Sequence, residues 1–173
     1  PPHLGEPKTK PTQQSVRTLN SMGIQPDFII ARSEKYLDQR RRDRFALFCN
    51  ISADAIISNP DVESVYEVPL ILHQQTLDSK IQEKLGFPVR KPALSDWQKL
   101  VDKIKSKKPK TVEIAIVGKY FGTGEYQIRD SYAALFDALE HASWFNNLEL
   151  KTRWIDAEKV EREGVEKLIG KPD

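Results

Sequence analysis

Twice along the chain a short apolar run, a helix-period segment and a second apolar run follow one another. The first set is IQPDFIIA (24–31), the charged segment SEKYLDQRRRDRFALFC (33–49) and AIIS (55–58). The second is TVEIAIVG (111–118), a segment carrying Tyr132, Leu135, Phe136, Leu139 and Ala142 at helical spacing, and LELKTRWID (148–156). A further helical pattern, AEKVEREGVEKLIG (157–170), closes the second set. Strand, helix, strand in that order excludes a tight hairpin: the crossover helix makes the two strands parallel and covers a face of the sheet. The fold class is therefore α/β, in two units.

Elements outside these sets follow from local signals. Val16, Leu19 and Met22 give a helix over 12–22, stopped by Gly23. The strand at 24–31 reads as buried, with Pro26 and Asp27 at its mouth, and Ser33 is available as N-cap of the next helix. After Asn59-Pro60-Asp61 two short helices are expected, because Pro69 is tolerated in a first turn and damaging in an interior; Gly86 ends them. PVRKPAL (88–94) has two prolines in seven residues and reads as a connector. Ser95 then caps a helix with Trp97, Leu100, Val101 and Ile104 on one face, which runs into KSKKPK (105–110). The expected organisation is 1–87, a linker with a short helix at 88–110, and 111–173.

Apolar residues make up 39% and charged residues 30%, which fits a globular chain and argues against disorder. No apolar run approaches the ~18 residues of a transmembrane helix. One cysteine cannot form an internal disulfide, so a reducing, cytoplasmic setting is expected. A net charge of +2 is too small to imply a nucleic-acid partner. The chain opens with Pro1-Pro2 and stops after the second strand of its second unit, so both ends read as cut from something longer.

PKTKPTQQS (7–15) is the first candidate site. With Pro11 pushing Lys10 toward extended backbone, Lys8 and Lys10 would point the same way, about 6.6 Å apart. A helix starting just after them would add free N–H groups and the positive dipole end, suiting a phosphate or polyphosphate. A solvated turn accounts for the same residues. RRRDR (40–44) is a solvated helix face partly neutralised by Asp38 and Asp43, or supplies one or two phosphate contacts. In GKYFGTG (118–124) the lysine follows the first glycine, whereas a Walker A loop needs it after the last, followed by Ser or Thr. Cys49 lies among apolar neighbours and reads as a buried structural thiol. His3, His73 and His141 show no ligand spacing, and the chain holds no complete catalytic apparatus.

GEPKTKPTQQSVRTLNSMGIQPDFIIARS resembles the GE-x-KTKPTQHSV…GIQPD…RS signature of the CTP synthase family. The resemblance continues through ALFCN, ISNPDVESVYEVPLIL and VEIAIVGKY…DSY…ALEHA…WID. It implies a parallel-sheet, P-loop-type amidoligase (synthetase) portion in 1–87, an interdomain linker in 88–110, and in 111–173 the start of a flavodoxin-like class I glutamine amidotransferase domain. The implied activity is that of a ligase making CTP from UTP, with ATP phosphorylating the uracil 4-oxygen and glutamine-derived ammonia displacing that phosphate. Mg2+ would assist, GTP would activate, CTP would inhibit, and the assembly would be a homotetramer with no nucleic acid or membrane partner.

Carried over residue by residue, the resemblance implies that Lys8, Thr9, Lys10, Pro11, Thr12 and Gln13 contact UTP or CTP, chiefly the triphosphate. Gln14 stands where the family usually has histidine. Arg44 takes the position of a nucleotide-binding lysine and presents a planar fork in its place. Arg32, Pro60, Asp61 and Val62 match positions lining the ATP adenine. The family's P-loop, Mg2+ carboxylates and glutaminase nucleophile have no counterpart in these residues, so no catalytic residue or metal ligand is expected here and the chain alone should not turn over. Two other readings remain open at this point. One is a non-catalytic nucleotide-binding regulator derived from the enzyme; the other is a basic nucleic-acid module using RRRDR and KSKKPK.

Overall fold

The computed structural model describes residues 8–119, 122–123, 126–127 and 132–169. The chain divides into two compact units, Pro1–Val101 and Asp102–Asp173. The division falls inside one helix, Ser95–Lys105, so the stretch 88–110 is shared between them.

In the first unit α1 (Lys10–Ser21) is followed by β1 (Ile29–Ser33), α2 (Gln39–Cys49) and β2 (Ile56–Pro60). β1 and β2 pair in parallel, Ile29 opposite Ile56 through Ser33 opposite Pro60. β1 starts later than the sequence pattern suggests, because Pro26 has no N–H for a ladder, and it is buried on one face only: Ile29 and Ala31 are inward, Ile30 outward. β2 is covered on both faces, with Ile56, Ile57 and Ser58 fully inaccessible. Val16, Ile29, Ala31, Leu37, Phe45, Cys49 and Ile56 form the core between α1, α2 and the strand pair.

Ser33 is the last residue of β1 and does not cap α2; its hydroxyl donates to the Lys35 carbonyl at 2.6 Å. The cap is Asp38, whose carboxylate accepts from the Arg41 N–H at 2.9 Å. The turn before it is set by a tertiary bond, the Leu37 N–H donating to the buried Ser58 hydroxyl at 2.9 Å. At the other end of α1, Gly23 adopts φ 81°, and the Ile24 N–H reaches back to the Leu19 carbonyl, closing the helix.

A single turn of 3-10 helix at Val65–Glu67 leads into α3 (Val68–Gln74), with Pro69 in its first turn, and α4 (Leu77–Lys84) follows. Gln75, between α3 and α4, places its side-chain amide against the outer edge of β2. Its Oε1 accepts from the Ser58 N–H at 2.8 Å and its Nε2 donates to the Ser58 carbonyl at 2.7 Å. Arg42 joins this arrangement, donating to the same Oε1 at 3.2 Å and to the Ile56 carbonyl. Arg42 is therefore no part of a solvated face. After a connector, α5 (Ser95–Lys105) is tied to the first unit by the Trp97 indole N–H, which donates to the Tyr66 carbonyl at 2.7 Å.

In the second unit β3 (Lys110–Gly118) pairs in parallel with β6 (Leu148–Asp156) along all nine residues of each. Much of the glycine-bearing loop after β3 lies outside the described residues. Within it Gly122–Thr123 (β4) pairs antiparallel with Tyr126–Gln127 (β5). α6 (Ala133–Phe145) packs Phe136 on Trp154, ring centroids 4.5 Å apart, beside Ile114, Ile116, Tyr132 and Leu139. Leu135 and Ala142, expected on the same stripe, face outward. The expected last helix is two, α7 (Ala157–Glu163) and α8 (Val165–Ile169), because Gly164 takes φ 87° and interrupts the helical path.

Gln75→Leu keeps the bulk but leaves the Ser58 N–H and carbonyl without partners. It is expected to lower unfolding free energy by about 1–3 kcal/mol, read as a drop in urea midpoint at unchanged slope. Gln74→Leu, one position away and exposed, is the control and should leave the midpoint in place.

Candidate functional site

Helix α1 begins at Lys10 with Thr9 as N-cap, yet the Thr9 side chain makes no capping bond and no acidic residue stands in the first turn. This corrects the extended geometry expected of Lys10: Thr9 is already in right-handed helical conformation and Lys10 is the first helical residue, Pro11 the second. Proline disfavours helix in the residue before it, but its own fixed φ and missing N–H suit the first turn of a helix, where that N–H would have no partner. Lys8 and Lys10 therefore flank the start of a helix and do not lie along a strand. The first-turn N–H groups, Pro11 excepted, have no intrahelical acceptors and point out of the helix end. The contrast with α2, whose end is closed by Asp38, is direct.

Thr9 is 8% exposed, buried by the turn. Its hydroxyl oxygen accepts from the Gln13 side-chain N–H at 3.0 Å, which leaves the hydroxyl proton to donate elsewhere. Thr9, Lys10, Pro11, Gln13 and Arg44 line one open depression of about 920 Å3, together with Gln14, Arg17, Leu47 and Phe48. Lys8 precedes this rim and is exposed, and Thr12 is half-buried; neither is among the lining residues. α1 and α2 are held in register here by Gln25, whose amide donates to the Cys49 and Asn50 carbonyls at 3.1 and 3.2 Å. Asn50 in turn ends α2 in left-handed conformation, φ 51°.

Three cations, Lys10, Arg17 and Arg44, face this depression, and among the described residues no carboxylate lines it. Each side chain is without an ion pair among the described residues, in contrast to Arg41, which pairs with Asp38. Leu47 and Phe48 add exposed apolar surface, 76% and 50% accessible. An uncapped helix end, unpaired cations and an apolar wall suit an anion attached to a ring. Arg17, Leu47 and Phe48 were not singled out from sequence, and Gln14 was marked only as a departure from the family pattern. Helical spacing could have flagged Arg17 and Phe48, since Lys10 and Arg17 are i, i+7 and Arg44 and Phe48 are i, i+4.

The second group of expected residues lies elsewhere in the same unit, at the C-terminal ends of β1 and β2, where parallel α/β sheets place their ligands. Arg32 Nε lies 3.5 Å from Asp61 Oδ1, and the Asp61 N–H donates to the Ser33 carbonyl at 2.9 Å. Arg32 is 84% exposed, so the pair is worth at most about 1 kcal/mol and leaves the guanidinium mobile. Pro60 is buried and Val62 half-buried. The Asn59 Oδ1 atom beside them is buried with no hydrogen-bond partner among the described residues. Among the described residues no three His, Cys, Asp or Glu side chains converge to hold a metal ion, and no helix is long and apolar enough to cross a membrane.

Cys49 is 1% exposed in the core beneath the depression. Burial pushes its thiol up, and the Arg17 charge offsets only part of that. The proton is thus held more tightly folded than unfolded, so this residue's contribution to stability is complete below the ordinary thiol range and is lost as pH rises from there through the raised folded value.

A parallel α/β unit with an anion-receptive helix end and a strand-end edge is the class that fold and geometry define. Residues 2–87 match the family model described as CTP synthase N-terminus. Over 167 residues, 96% of this chain, it is 49% identical to the CTP synthases of Thermococcus gammatolerans and of Thermococcus kodakarensis. It is 43% identical over 171 residues to the CTP synthase of Caldanaerobacter subterraneus subsp. tengcongensis. The chain spans about 30% of the length of these curated relatives. The similarity to the CTP synthase N-terminus thus covers residues 2–87 of the first unit, and similarity to CTP synthases continues through the second.

Alkylation of Cys49 by iodoacetamide at pH 7.5 is expected to be at least tenfold slower in the folded chain than in urea. Equal rates would place the thiol outside the core.

Proposed function

We propose that this chain is the part of a CTP synthase that holds the pyrimidine-nucleotide triphosphate and one edge of the ATP site. The reaction would be the ATP-dependent amination of UTP to CTP, with ammonia taken from glutamine. The observation that carries the reading is the meeting of Lys10 and Arg44 at a helix end where Thr9 makes no capping bond, in a depression that no carboxylate lines among the described residues. Identity to CTP synthases along nearly the whole chain supports it.

In this reading Lys8, Lys10 and Arg44 neutralise the triphosphate, the Thr9 hydroxyl and open first-turn N–H groups donate to its oxygens, and Gln13 fixes the Thr9 rotamer. Thr12 supplies a further hydroxyl donor at the helix start. Leu47 and Phe48 offer an apolar wall for the ring. Holding the triphosphate rigidly is what would place the uracil 4-oxygen for phosphorylation, since positioning supplies much of the rate in such a transfer. Arg32, Pro60, Asp61 and Val62 would meet the adenine of ATP, largely through backbone groups. The described residues do not suit a Mg2+ site, so no step is assigned to the ion here. Residues 111–173 would open the glutamine amidotransferase domain, GTP would act there, and the complete assembly would be a cytoplasmic homotetramer.

Titration of the 15N-labelled chain separates the two sites. UTP and CTP should shift the amides of Lys10, Thr12, Gln13 and Arg44, and ATP those of Arg32, Asp61 and Val62. Lys10→Ala should weaken UTP binding about tenfold or more, the loss of one charge-assisted hydrogen bond. In an intact CTP synthase carrying this segment, the same change should raise the UTP KM and relax CTP inhibition together. Shifts by UTP that miss the α1–α2 depression would overturn the assignment.

A further inference from the structure

The depression extends past the residues that hold the helix end. On α1, Lys10, Gln13, Gln14 and Arg17 stand at i, i+3, i+4 and i+7, a polar stripe two turns long. On α2, Arg44, Leu47 and Phe48 stand at i, i+3 and i+4, and both stripes line the same space. Arg17 lies about 10 Å along the helix axis from Lys10, at 1.5 Å of rise per residue.

The field of the helix end fades within its first turn. An anion reaching the far end of the groove is therefore held by side chains, and Arg17 is the cation present there. It does not form an ion pair among the described residues. It lines the groove together with Leu47 and Phe48 of α2, and its charge is felt by the buried Cys49 thiol of that helix. Three like charges around one space, which no carboxylate lines among the described residues, repel one another, and a bound polyanion converts that repulsion into attraction. The length of the cation track selects for a chain of phosphates over a single one.

We propose that Arg17 is a phosphate-binding residue of this groove and the one that makes it prefer a nucleoside triphosphate to a monophosphate. The inference rests on the triphosphate reading of the groove and adds the residue that measures phosphate number. A guanidinium suits this role because its planar fork can bond two phosphate oxygens at once.

The test is calorimetric titration of the 173-residue chain with UTP, UMP and inorganic tripolyphosphate. Arg17→Gln is expected to weaken UTP and tripolyphosphate about tenfold and to leave UMP unchanged, with Arg17→Lys recovering part of the loss. Arg17 is exposed, so the circular dichroism spectrum should not change. Wild-type UTP affinity in Arg17→Gln, beside a loss in Lys10→Ala, would overturn the proposal while leaving the triphosphate site standing. Arg17-dependent binding of tripolyphosphate with no preference for UTP over ATP would support Arg17 and defeat the pyrimidine reading. Failure of wild type to bind either polyphosphate would defeat both.

Discussion

The outer edge of β2 is closed by side chains where a further strand would otherwise be needed. Gln75 pairs its amide with both backbone groups of Ser58, as a neighbouring strand would, and Arg42 bonds the Ile56 carbonyl two residues earlier. Buried backbone groups that find no partner cost on the order of 1–3 kcal/mol each. The same bonds fix α2 on the strand, because Arg42 belongs to α2 and donates to the same Gln75 side-chain oxygen, Oε1. Two residues further along α2 comes Arg44, and then Leu47 and Phe48. The position of the candidate site's second wall thus depends on how β2 satisfies its edge.

The first wall has a different support. α1 buries only Val16 fully and is held mainly by the turn after it, where Gln25 bonds the last carbonyls of α2. Light packing leaves most of the α1 surface polar and accessible, which a helix can sustain when its exposed stripe has a ligand to meet. α2 is capped by its own Asp38 carboxylate, whereas at the α1 start the Thr9 side chain makes no capping bond. Capping a helix typically contributes about 1 kcal/mol. Leaving one open beside unpaired cations fits a site whose missing partner is an anion.

Much of this was legible in the residues, and the rest depended on tertiary bonds. Apolar runs separated by helical periods predicted both parallel pairs, since the period of a strand differs from that of a helix whatever packs on it. The start of α2 was misplaced because Ser33 is a good cap in isolation, but strand pairing with Pro60 takes it first and the Leu37–Ser58 bond defers the helix to Asp38. Gly164 broke a helix that continuous charge patterning suggested. Lys10 and Arg44 were marked by family resemblance, whereas Arg17, Leu47 and Phe48 were not. Their presence at the site follows from the facing of α1 on α2, which a linear pattern does not contain.

A crystal structure of the chain with CTP tests the central claim most directly. The account predicts a triphosphate lying between α1 and α2, its oxygens about 2.7–2.9 Å from the Lys10 and Arg44 nitrogens, the range of charge-assisted bonds. A nucleotide seated at the ends of β1 and β2, with the groove between the two helices empty, would contradict it.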